Sequence, residues 1–181
     1  MRWSIGWSRR RDFFGRRQIY STEAVSHLGV NMLTAVLFLC IGFMIAVLYI
    51  DLVFDFSGLP HRRSGEPLAP AVLDPIATYY RYITRNPYLL MLIMATAAGC
   101  IVVQIYHESV PRWTGYASLL LMVFNTLIAV LRVIPAAQRL ASGRDTVELQ
   151  TRLVHGVLPY HVLLLASVLL MAGVQLVAAS R

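Results

Sequence analysis

An all-α integral membrane protein, a four-helix bundle of transmembrane helices behind a basic N-terminal arm, is the fold class this sequence predicts. Three observations predict it. Of 181 residues, 57% are hydrophobic and 14% are charged, against about 25% charged in a soluble domain. The missing charge is concentrated in four blocks: Ala24–Ile50, Asn86–His107, Trp113–Leu131 and Leu153–Ser180. Each holds an apolar stretch long enough to cross a hydrocarbon core ~30 Å thick as a helix. Six arginines precede the first block, the charge pattern of a cytoplasmic flank.

Residues 1–27 form the arm, with Trp3, Trp7, Phe13, Phe14 and Tyr20 among its arginines. Aromatic rings favour the headgroup layer and arginines favour anionic lipid. Arg9, Arg10, Arg11, Arg16 and Arg17 are therefore candidate anchors to lipid or to a partner. The stretch SRRRDFF at 8–14 has the look of a twin-arginine export signal, but no small-residue cleavage site follows it. Nucleic-acid binding would need a folded basic reader, which is not evident.

The four-helix domain covers 28–179. Span one is expected over about 28–50. A proline-rich loop follows, then a short interfacial helix over Ile76–Pro87 carrying three tyrosines. Span two, about 87–106, opens on a proline, which the first turn tolerates. The short link HESVPRWTG makes spans two and three antiparallel neighbours. Span three, about 115–134, ends at Arg132 and Pro135. The loop that follows alternates charge signs and reads as a small amphipathic helical excursion, in which Asp145–Glu148 approximates a capping box. Span four is about 157–179. The arm's arginines set the orientation: a multi-pass inner (plasma) membrane protein with both termini cytoplasmic.

Parity places the chemistry. Spans one and three end on the face where spans two and four begin, so Asp51, Asp55, Arg132 and His161 share one membrane boundary. Asp51 and Asp55 are i and i+4, on one helix face. An arginine facing a bundle needs a carboxylate, and Asp51 matches Arg132 in depth. The expectation is a structural ion pair Asp51–Arg132, with Asp55 nearer water and His161 alongside. The same four residues are the catalytic candidates if the cluster is a site that moves a proton or binds an anionic oxygen. No cofactor is expected. The Glu-x-x-His pairs of di-iron bundles are missing, and His27 and His107 lie at the opposite boundary from His155 and His161. Cys40 and Cys100, mid-span, read as free buried thiols. Gly42-x-x-x-Ala46 and Ala95-x-x-x-Gly99 permit close helix approach, within the chain or to another subunit.

RNPYLLMLIMATAAG, FNTLIAVLRVIPAAQRLASGRD and LVHGVLPYHVLLLASVLL together resemble a broad family of small four-span bacterial membrane proteins that includes anthrone-oxygenase-like members. The matching positions are Asn86, Pro87, Pro135 and His161, over roughly Asn86–Leu176. The resemblance implies the bundle, and oxygenase chemistry more faintly. The chain departs from that pattern in its long arm, its proline-rich first loop and LYIDLVFD. The function expected is a small non-catalytic accessory or assembly subunit of a larger membrane complex. Its expected partners are the lipid bilayer and other membrane subunits or further copies of itself. The alternative is a small oxygenase-like membrane enzyme acting on a lipophilic substrate at a polar bundle mouth.

Overall fold

The computed structural model describes residues 8–59 and 66–180, with side chains from Met32 onward. The described residues are mostly helical, with no strand among them. Helix α1 is Ser8–Ser57, α2 is Pro70–Arg85, α3 is Tyr88–Tyr106 and α4 is Arg112–Ile128. A π-helical turn, Ala129–Val133, joins α4 to α5, Ile134–Ser142, and α6 is Val147–Ala179. Four segments are long and apolar enough to cross a membrane: Met32–Ser57, Tyr88–Tyr106, Arg112–Ser142 and Val147–Ala179. The chain is thus an all-α, multi-pass four-helix bundle in contact with lipid. The arm's residues from Ser8 onward continue the helix of the first span. Residues 1–7, and the side chains of Arg9, Arg10, Arg11, Arg16 and Arg17, lie outside the described residues.

The helices pack in the cyclic order α1, α3, α4, α6, with α6 returning to α1. Their shared core contains Leu37, Ile41 and Met44 of α1, Ala97 and Ile101 of α3, Met122 of α4, and Val168 and Met171 of α6. Cys40 and Cys100 sit in it as free thiols. At Gly115, α4 lies directly against α3, since a Cβ there would stand 2.6 Å from Ile105 Cγ1. That atom is tied close to the Ile105 backbone and cannot swing away. Gly115→Ala is therefore expected to destabilise the bundle by about 1–3 kcal/mol through overpacking. Ile105→Ala should recover part of that loss, and unfolding curves of the two single variants and the double variant in one detergent check it.

Two spans are longer than a bilayer requires. The α4–α5 segment has 31 residues and α6 has 33, about 46 and 50 Å of helix against a core of ~30 Å. The excess stands beyond the second boundary, where α1 ends. There α5 packs on α2 and on α6, building a cap with a core of its own from Leu68, Leu73, Ile76, Tyr80, Ala137, Leu140 and Val154. The expected interfacial helix is thus longer than anticipated and buries Ile76, Ala77 and Tyr80. The expected excursion after span three is two continuations, α5 from α4 and the first turns of α6. Thr146, one residue later than expected, caps α6 by accepting from Leu149 N–H, while Asp145 pairs with Arg139 at 3.1 Å.

Pro135 does not end span three. It lacks an N–H and its ring crowds the carbonyl four residues back, and the helix accommodates it through the π turn, where Ile134 N–H reaches Ala129 O.

Candidate functional site: a ring of buried acids, imidazole and phenols

Asp51 and Asp55 stand one turn apart on the inward face of α1, between the bundle core and the cap. Asp55 is 1% exposed and Asp51 8%. Such burial of carboxylates requires hydrogen-bond partners, and each aspartate has them. Tyr80 OH donates to Asp55 Oδ1 at 2.9 Å, and His161 Nδ1 stands 2.6 Å from Asp55 Oδ2. Tyr79 OH donates to Asp51 Oδ1 at 2.6 Å. The other face of the imidazole, Nε2, is 3.8 Å from Asp51 Oδ2. Tyr79 and Tyr80 meet edge to face at 5.5 Å, which closes the five groups into a ring.

Three elements supply the ring, each for a local reason. Helix α1 presents the carboxylates four residues apart, which stacks them on one face. Helix α6 inserts His161 between them. Helix α2 supplies consecutive tyrosines, whose directions differ by roughly 100°, so one side chain reaches each carboxylate. Phe54 stacks on Tyr79 at 4.2 Å and holds that phenol half-covered. Burial, reinforced by the Asp51 carboxylate, pushes the Tyr79 phenol up. Burial and then the Asp55 carboxylate do the same to Tyr80. Both phenols therefore stay protonated and act as donors. The seam is held at its edges by His155 Nε2, 3.1 Å from Gly58 O, and by Leu68 N–H donating to Thr151 Oγ1 at 3.0 Å.

Of the four residues that depth matching groups together, the structure brings three into contact. Arg132 is the exception, and the expected Asp51–Arg132 pair is not formed. Arg132 is exposed, and among the described residues it joins no ion pair. Asp55, expected nearer water, is the more deeply buried of the two aspartates. The π turn explains the first correction. In a regular helix Ser118, Asn125 and Arg132, seven apart, fall on one face, and Ser118 faces α6 through Gln175 at 2.9 Å. A π turn holds one residue more than an α turn, which displaces the following positions by roughly 100°. Val133, half-buried, takes the inward direction and Arg132 turns out.

Tyr79 and Tyr80 are two of the five groups of the ring, and sequence reasoning placed them only at the interface. The usable signal was their adjacency within the first strongly amphipathic segment after two uncompensated aspartates. Among the described residues no group of three or more His, Cys, Asp and Glu is arranged to hold a metal ion. No family model, curated protein or solved structure matches the chain.

Proposed function

We propose that this chain is a non-catalytic accessory or assembly subunit of a larger membrane complex, seated in the inner membrane with both termini cytoplasmic. The observation that carries this reading is where the close-approach residues point. Gly42, Ala46, Ala95 and Gly99 are all exposed, and a Cβ at Gly42 or Gly99 would meet nothing within 4 Å. Small residues in a membrane let helix backbones approach closely, and the packing of this chain on itself leaves these faces of α1 and α3 unused. The acid–base groups, in contrast, are turned on one another beneath the cap. A continuous α1 also gives the arginines of the arm a helical carrier toward a partner.

The test is purification of the full-length chain from its own membranes in mild detergent. Stoichiometric companions, or a defined homo-oligomer, are expected. Gly42→Leu and Gly99→Leu should release them while leaving the unfolding temperature of the chain intact, because neither site has a neighbour to clash with. A wild-type chain that runs alone, at the same size as both variants, refutes the reading.

One observation favours the enzyme alternative. An imidazole at 2.6 Å from a carboxylate is an oriented acid–base pair, and Asp51, at the more open side of the ring, has 11% of its side chain exposed. Loss of a turnover in Asp51→Asn, with stability unchanged, would replace the assembly reading by this one.

A further inference from the structure

Six polar side-chain atoms are buried with no hydrogen-bond partner among the described residues. They are both amide atoms of Gln104, both of Asn125, Oγ of Ser167 and Oε1 of Gln175. All lie within the membrane-spanning segments, where an unsatisfied amide is among the most expensive things a protein can bury. Gln104 is fully buried, so neither bulk solvent nor lipid supplies its partners.

These atoms follow a register. Gln175 Nε2 donates to Ser118 Oγ at 2.9 Å, which aligns the antiparallel helices α4 and α6. Stepping two turns along each, about 10 Å, sets Asn125 opposite Val168 and its neighbour Ser167. Two further turns along α6 arrive at His161. The intervening levels set Met122 against Met171 and Ala129 against Leu164. Methionine is unbranched and adaptable, and Ala129 is short. At the first boundary, Gln104 enters from α3, the helix diagonal to α6 in the bundle.

An amide offers donors and an acceptor together, and a hydroxyl does the same. The smallest species that satisfies both, and repeats along a file, is water, which ordinarily occupies buried polar sites of this kind. We propose that bound water fills the α4–α6 seam from Gln104 and Gln175 past Asn125 and Ser167 to His161, and that this file carries protons across the bundle. A proton reaching His161 from the file is matched by one leaving Asp51, the more open of the two aspartates, to water at the second boundary. His161 Nε2 then returns a proton to Asp51 Oδ2, 3.8 Å away, which restores both groups. Only N–H and O–H bonds change, and no co-reactant is required. The file belongs to the single chain and goes beyond its role as a subunit.

The test uses the full chain in two settings. In lipid nanodiscs, the Asn125 side-chain amide is expected to show magnetisation transfer from water. In vesicles loaded with a pH-sensitive dye and driven by a potassium diffusion potential, proton uptake is expected to exceed that of protein-free vesicles. Asn125→Leu keeps the volume and removes the amide, and should abolish the excess uptake without lowering the unfolding temperature. Should that variant fail to fold, Ser167→Ala provides the same comparison. A dry Asn125 amide, uptake no greater than in protein-free vesicles, or uptake unchanged by these substitutions overturns the proposal.

Discussion

Asp55→Ala is expected to destabilise the protein more than any other single substitution in the ring, by about 3–5 kcal/mol. Two groups lose their partner at once: the His161 imidazole at 2.6 Å and the Tyr80 phenol at 2.9 Å. Neither can turn to water, because His161 is 1% exposed and Tyr80 2%. Each polar group left unsatisfied costs about 1–3 kcal/mol, which gives a total of the same size. Asp51→Ala should cost less. It strands Tyr79, which is half-buried and can reach water, and its distance to His161 is 3.8 Å rather than a hydrogen bond. Chemical unfolding of the two variants in one detergent ranks them. An equal or larger loss for Asp51→Ala would mean that the ring is not organised around Asp55. A double-mutant cycle should then show strong coupling between Asp55 and His161, and none between Asp51 and Arg132.

Deleting Val133 is expected to create the Asp51–Arg132 ion pair that is absent from the native protein. The π turn that accommodates Pro135 also takes up the one residue too many between Asn125, which faces the core, and Ala137, buried in the cap. Taking one out lets the segment close as a regular α-helix while both flanks keep their faces. Arg132, seven residues after Asn125 with no π turn between them, then takes the inward direction that Val133 holds in the native protein, at the level of His161 and Asp51. In that background, Asp51→Ala should cost about 3–5 kcal/mol, because it leaves a guanidinium buried without its carboxylate. In the native background the same change leaves Arg132 unaffected. A cycle that remains additive after the deletion would show that the π turn is not what holds Arg132 outward.

How far the site could be read from the residues follows from the same two features. Depth is a property of the chain alone: counting residues from the ends of apolar blocks brought Asp51, Asp55 and His161 to one boundary, and they do meet. Rotation about the axis is a second coordinate that depth matching leaves out, and in a regular helix it would put Arg132 inward with Ser118 and Asn125. One extra residue within a turn changes that assignment, and the hydrophobic pattern carries no mark of it. Pro135 was the visible cause, but a proline reads as a stop as readily as a π turn. The tyrosines of α2 are legible as part of an interfacial helix. Their docking on α1 was not, because it depends on α5 and the first turns of α6 forming a second core above the membrane. The four apolar blocks predict four spans; that two of these helices rise into a cap follows from packing between segments far apart in sequence.

The ring also has an order of assembly. The two partners of Asp55 lie 25 and 106 residues further along the chain, so the carboxylate leaves the ribosome long before its imidazole is made. Tyr80 is made with α2, which docks once α5 is there to support it, whereas His161 comes with the last membrane helix. Contacts of such long sequence separation form late. Through most of synthesis, two aspartates at the edge of the lipid therefore stand without the base that completes them. The imidazole arrives only when the fourth helix is in place, so closure of the ring coincides with completion of the insertion. A chain that has lost its last helix keeps both acids and lacks the imidazole between them, an open polar edge by which a membrane quality-control system could tell an unfinished molecule from a finished one.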